Sequence, residues 1–334
     1  MDFARTAVGP NGLELPAIGL GTASLGNFLG TLTDEQAIET ISRSYADGIR
    51  FFDTAPLYGF GLAEQRVRAA LAGQPRDDLV ISTKVGRLLR PDAPRDESQY
   101  YDGQPFYTDT PPVGPVFDFS YDGIMTSWRE SLDRLGVDRV DILHLHDPDD
   151  YFDEASTTAY AALRDLRDEG SVKAIGAGMN RTPVLTRLVE TCDLDVVLLA
   201  GRYTLLDQSS RGDLIPAAER AGTRIVVGGV FNSGILLDPS PAARFDYIPA
   251  PEQTIAKAQR LQEVCERHGV PLAAAAIQFP LAHPQIASVL IGARAVEELE
   301  ADLELLRVDI PGALWHDLKH EGLLDDDTPV PSGD

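Results

Sequence analysis

The chain has only two cysteines, Cys192 and Cys265, among its 334 residues. Two thiols cannot build a disulfide framework, so the fold has to rest on an ordinary packed core, and the expected compartment is the reducing cytoplasm. Positive charge is scarce as well: 29 Lys and Arg stand against 52 Asp and Glu, a formal net charge of −23. A surface this acidic lacks the clustered cations that grip a phosphate backbone or an anionic bilayer. It argues against nucleic-acid and membrane partners, but not against one bound nucleotide, which needs only local donors. No run of 18 apolar residues occurs, so no membrane-spanning helix is expected. The opening stretch MDFARTAVGPNGLELP has no apolar segment of the signal-peptide kind. Low-complexity stretches, short repeats and Pro/Ser linkers are also missing, and no segment marks an oligomer interface.

Apolar material is plentiful, at 43% of residues, and it falls into short runs that alternate with helical patterns. Asn11-Gly12 is a hairpin signal between extended segments near the start. AIGLGT (17–22), IRFFD (49–53), LVISTK (79–84) and VDILHLH (140–146) read as strands, and so do KAIGAG (173–178), DVVLLA (195–200), RIVVGG (224–229) and ASVLIG (287–292). Between the first two, Thr33 with Gln36 forms a capping box ahead of an amphipathic helix carrying Ala37, Ile38, Ile41 and Tyr45. Nearly continuous apolar strands are buried on both faces, which means a parallel sheet. Eight such units in one chain predict a single (β/α)8 barrel domain over 1–334, with an N-terminal hairpin and extra C-terminal helices. The Pro/Gly/Tyr-rich segment at about 87–119, with Tyr100, Tyr101, Phe106 and Tyr107, is too long for a simple connection and reads as a lid after the third strand. The acidic tail, about 326–334, is expected to fray.

In such a barrel the chemistry gathers at the carboxyl ends of the strands. Those ends carry Thr22, Asp53, Lys84, His146, Asn180 and the glycine-rich turn GGVFNSG (228–234). Asp53 and Lys84 end adjacent strands and are natural partners, since an unpaired charge there is costly to bury. Tyr58 lies on the loop after Asp53, near enough to fold over the mouth. A nearby cation lowers a phenol's pKa, so Lys84 is expected to activate Tyr58 for proton exchange with a carbonyl or an alcohol. That chemistry makes or breaks no carbon–hydrogen bond, so a redox reaction here requires a hydride acceptor. Two other readings compete. Asp53–Lys84 can be a purely structural ion pair, and HLHDPDD (144–150) is the sort of cluster that a metal-dependent hydrolase uses. His268 and His283 are poorly placed to complete a metal site.

GLGTASLG, FFDTAPLYG, STKVGR, DRVDILHLHDP, KAIGAGMN and SVLIGAR, in that order, resemble the aldo-keto reductase superfamily over roughly 15–325. The resemblance implies that Tyr58 is the proton donor/acceptor, Lys84 lowers its pKa, Asp53 supports Lys84, and His146 orients the substrate oxygen. It places Asn180 at the nicotinamide carboxamide of a cofactor and counts Gly21, Thr22 and Asp53 among the cofactor-binding residues. The pyrophosphate and adenosine would lie along Gly228, Phe231, Asn232 and Gly234 and along Gly292, Arg294, Glu298 and Asp302; no metal is implied. GRYTLLDQS, GGVFNSGIL and HGVPLAAAAIQFPLAHP are similar to the aldose 1-dehydrogenase (L-fucose or D-threo-aldose type) and pyridoxal 4-dehydrogenase branch. That branch implies oxidation of a sugar's anomeric carbon to a lactone. A pyridoxal-type dehydrogenase, a broad aldehyde or ketone reductase and a redox-reporting regulatory module are the alternatives. Three positions depart from the family pattern: Met179 replaces a usual Ser, Ala200 a usual Gln, and Gly228 a usual stacking aromatic. Glu298 stands where NADP-dependent relatives carry Arg, which favours NAD, because a carboxylate repels a 2′-phosphate and accepts a bond from a free 2′-hydroxyl.

Overall fold

Eight parallel strands close on themselves in chain order. The computed structural model describes residues 3–95, 100–101 and 104–332. The strands are β1 (Ile18–Gly21), β2 (Phe51–Asp53), β3 (Val80–Val85), β4 (Ile142–His146), β5 (Ala174–Met179), β6 (Val196–Ala200), β7 (Arg224–Gly228) and β8 (Ile286–Ile291). All eight expected strands are present, displaced by a residue or two at their ends, and helices intervene as the alternation predicts. Thr33 caps the helix Asp34–Ala46 through the reciprocal capping box with Gln36.

The predicted hairpin forms from Arg5–Val8 and Leu13–Pro16. Its Val8, Leu13 and Leu15 pack against Phe51, Ile142, Val196 and Val226, which plugs the amino-terminal end of the barrel. At that same end two buried aspartates fasten neighbouring strands. Asp141 accepts the Ile81 amide at 2.9 Å and pairs with Arg76; Asp195 accepts the Ile175 amide at 2.8 Å and pairs with Arg167. With this end plugged, only the carboxyl-terminal mouth is left for chemistry.

Two expectations are corrected. The segment after β3 is an arm and not a free lid. Arg87–Arg90 pairs antiparallel with Gly114–Phe117, and the arm then docks on the loop after β1, where Leu29 N donates to Phe106 O at 2.7 Å and Thr108 N to Asn27 O at 3.2 Å. Tyr107 is buried there. The lid role read for Tyr100 and Tyr101 falls outside the described side chains. The acidic tail is also tied down as far as Thr328: Arg211 bonds Asp325, Asp327 and Thr328, and Thr328 is buried; its last two residues lie outside the described ones. One guanidinium with three partners offsets the entropy that a charged tail would otherwise keep.

Candidate active site

Side chains on a strand alternate between faces, so Ser82 with Lys84 on β3, and His144 with His146 on β4, project to the same side. Register completes the grouping: Asp53 pairs beside Ser82, and Lys84 beside His144. Lys84 Nζ donates to Asp53 Oδ2 at 2.6 Å and to Thr54 O at 3.0 Å, while Ser82 Oγ donates to Asp53 Oδ1 at 2.6 Å. Both charged side chains are almost wholly buried, at 1% and 3% exposure. A pair this deep is tolerated only because each charge meets its partner and further hydrogen bonds besides.

Tyr58 comes from the tight turn that follows β2. Its amide donates to Ala55 O at 3.1 Å, and the turn backbone presses on Gly26 so closely that a Cβ there would lie 2.6 Å from the Tyr58 carbonyl carbon. Gly26 is therefore what lets the turn sit down on the mouth. The phenol ring lies with its centroid 4.6 Å from Lys84 Nζ and stands perpendicular to the His146 ring, centroids 5.9 Å apart. The structure thus brings all four expected catalytic groups to one point.

Their protonation differs from expectation at Tyr58. Burial, with Asp53 and Asp147 next, pushes the phenol well above its ordinary value. Arg87 offsets this in part, while the Lys84 ammonium is engaged by Asp53 and the Thr54 carbonyl. Burial, reinforced by Arg87 and Lys84, holds His146 well below the usual histidine range, so its imidazole is neutral. His144 lies beneath it with neither ring nitrogen hydrogen-bonded, and burial next to Lys84 lowers its pKa to about 3.

The rest of the mouth is built from small residues. Gly21, Gly178, Ala200 and Gly228 end or nearly end β1, β5, β6 and β7. A Cβ on Gly228 would meet only Leu198 Cδ2, at 3.9 Å, so this side of the floor is open. The residues present leave room for a flat nicotinamide there, and Asn180, exposed, directly follows β5. Other predicted cofactor contacts are modified. Thr22 is buried and its hydroxyl donates to Asp53 O at 3.0 Å. The Asn232 side chain bonds Thr204 Oγ1 and Gly201 O, which makes it a brace between two loops. Phe231 packs against the core, and Met179 is buried in it.

At the far end of the groove, Glu298 Oε2 accepts the Arg294 amide at 2.8 Å, at the start of the helix Val296–Leu305. The Arg294 guanidinium reaches across to Phe28 O and Leu29 O, at 3.1 and 3.3 Å, and Gly292 leaves open space beside Ser24. Burial, with Glu298 adding repulsion, pushes the Asp302 carboxyl up to about 7.

Two site residues escaped the reading of the sequence, and a third was flagged only as part of a metal-like cluster. Arg87 bonds Asp147 at 2.6 Å beside His146, and Tyr247 meets Phe28 edge-on, centroids 5.0 Å apart, over the mouth. Arg87 was hidden inside STKVGR and Tyr247 in an unremarkable loop; only the HLHDPDD cluster had flagged Asp147. That cluster does not converge on a metal. His144 faces Lys84, Asp147 faces Arg87, and Asp149 lies 3.4 Å from Arg181. Among the described residues no three His, Cys, Asp or Glu side chains gather to hold an ion.

The model of the aldo/keto reductase family matches residues 17–319. A D-threo-aldose 1-dehydrogenase from a Pseudomonas species is 40% identical over 327 residues, covering 97% of this chain and 99% of that protein. A pyridoxal 4-dehydrogenase from Microbacterium luteolum is 39% identical, covering 96% of this chain and 98% of its own length. Among solved structures, the holo form of an aldo-keto reductase from Bacillus halodurans superposes with a TM-score of 0.73 at 25% identity, covering 97% of each chain.

Proposed function

Because this chain belongs to the aldo/keto reductase family, a family of nicotinamide-dependent oxidoreductases, we propose that it oxidises the anomeric carbon of an aldose to a lactone with NAD as the preferred cofactor. The observation that carries this reading is the mouth itself. A buried Lys84–Asp53 pair, a half-buried phenol and a neutral imidazole face a floor kept open by glycines. The near full-length similarity to an aldose dehydrogenase supports the substrate class. The two buried free thiols suit a reducing, cytoplasmic setting. Among the described residues no helix is long and apolar enough to cross a membrane.

The residues divide the work. His146 Nε2 and the Tyr58 hydroxyl hold the anomeric oxygen, and Tyr58 takes its proton as the C1–O bond gains double-bond character. Lys84, fixed by Asp53, keeps a positive charge under the phenol ring. A nicotinamide bound over the glycine floor would supply the hydride acceptor for C1, and the positive charge of its oxidised form would favour the phenolate on Tyr58. Met179, Ala200 and Gly228 offer no polar or aromatic grip, so Asn180 and the shape of the floor would have to hold the nicotinamide.

The adenosine end supports the preference for NAD. The Glu298 carboxylate occupies the start of a helix, where a 2′-phosphate would otherwise find its best donors, and Arg294 is engaged elsewhere. A pyridoxal-type activity is the second reading, supported by the relative from Microbacterium luteolum. The test is the rate of nicotinamide reduction with L-fucose, D-arabinose, L-galactose, D-glucose and pyridoxal, each with NAD and NADP. One or two aldoses should be oxidised with NAD at least about tenfold more efficiently than with NADP, a difference of about 1.4 kcal/mol. Glu298→Arg should narrow or reverse that ratio. An unchanged ratio removes Glu298 from the cofactor site, and oxidation of pyridoxal alone selects the second reading.

A further inference from the structure

We propose that Arg87 and Asp147 form a hydroxyl clamp, which selects substrates carrying a hydroxyl on the carbon next to the one oxidised. The inference rests on the aldose reading above and deepens it, since it makes the site specific for vicinal hydroxyls and not for aldehydes in general.

The geometry is unusual on both sides of the pair. Arg87 follows Gly86, which takes φ +98 and whose Cβ position is blocked by the Phe119 ring at 2.3 Å. That turn lays the guanidinium over the Phe117 ring, 4.6 Å from its centroid, and delivers it to Asp147 Oδ2 at 2.6 Å. Arg87 is nearly buried, and its Nε has no hydrogen-bond partner. Asp147 adopts φ +45, a conformation few residues other than glycine take, and is held in it by its amide bond to Gly178 O at 3.1 Å. The left-handed turn leaves Oδ2 at 3.6 Å from His146 Nε2. Asp147 Oδ1 accepts no hydrogen bond among the described residues, and the carboxylate is one-third exposed.

A buried guanidinium donor and a half-open carboxylate acceptor are therefore left with free capacity beside the atom that holds the reacting oxygen. The oxygen on the neighbouring carbon of a sugar lies about one hydrogen-bond length from the reacting one, roughly 2.8 Å. It falls within reach of the pair. A hydroxyl both donates and accepts, so it can give its proton to Asp147 and receive one from Arg87. A substrate with hydrogen in its place leaves charged groups unmet in a partly dry site, the circumstance in which polar sites discriminate best.

The alternative is a latch that merely ties the arm after β3 to the end of β4. The two roles separate in a ratio. The aldose that the wild-type protein oxidises fastest is compared with its 2-deoxy counterpart by kcat/KM, in wild type, Asp147→Asn and Asp147→Ala. The clamp predicts a wild-type preference for the parent sugar of about 10–100-fold. That preference should shrink in Asp147→Asn, which keeps one acceptor oxygen, and fall to about twofold or less in Asp147→Ala. A latch lowers both substrates equally and leaves the ratio intact, which would overturn the proposal, as would a wild-type protein indifferent to the 2-hydroxyl. If the wild-type protein oxidises no aldose, the reading of the function fails first, and that result is visible without any variant.

Discussion

Tyr58→Phe should lower kcat by about 10²–10⁴-fold, the usual contribution of a positioned general acid or base, while binding of NAD stays within about twofold of wild type. The substitution removes one oxygen and little else. The ring keeps its edge contact with His146 and its place over Lys84 Nζ. The hydroxyl makes no hydrogen bond among the described residues, so its loss orphans no buried partner, and the melting temperature should scarcely move. Because burial raises the phenol's pKa, the oxidation rate of the wild-type protein should climb with pH through the alkaline range, as the phenolate becomes accessible. His146 is already neutral there and adds no opposing limb. Retention of wild-type turnover in Tyr58→Phe would remove Tyr58 from the reaction.

Asp53→Leu should cost about 3–5 kcal/mol of folding stability and abolish activity, because it strands the Lys84 ammonium in the barrel and takes the acceptor from Ser82 Oγ. Adding Lys84→Met to that variant should restore much of the stability and none of the activity, since two apolar side chains of similar volume fill the place of the pair. Urea unfolding of the two single variants and the double variant gives the coupling directly. Single variants within about 1 kcal/mol of wild type would show that water or a neighbouring group satisfies Lys84, and that the pair is not the electrostatic base of the site.

The barrel and the gathering of Asp53, Tyr58, Lys84 and His146 at its mouth were legible because both depend on short-range pattern. Apolar runs buried on both faces announce parallel strands, and a polar residue at the end of such a run has nowhere to go but the mouth. Thr33 with Gln36 was legible for the same reason: the capping box is a contact three residues long. What stayed hidden was closed by distant loops. Arg87 meets Asp147 only because Gly86 and the left-handed Asp147 turn their side chains toward one another. Arg294 meets the Phe28 carbonyl across 266 residues of sequence. The raised pKa of Tyr58 stayed hidden for a related reason. Adjacency to a lysine predicts activation, but Asp53 and the Thr54 carbonyl already engage that charge, and burial then decides the sign. The tail misled by composition, since DDD suggests solvation until Arg211 is seen among its partners.

The central claim is that hydride leaves the anomeric carbon of a sugar while Tyr58 receives the proton. The most direct test is oxidation of the preferred aldose carrying deuterium at C1, followed by NMR of the reduced nicotinamide and of the sugar product. The account predicts that the deuterium appears on the nicotinamide ring and that the product is the lactone or its hydrolysed acid. Reduced cofactor without the label, or a product oxidised at another carbon, would contradict it.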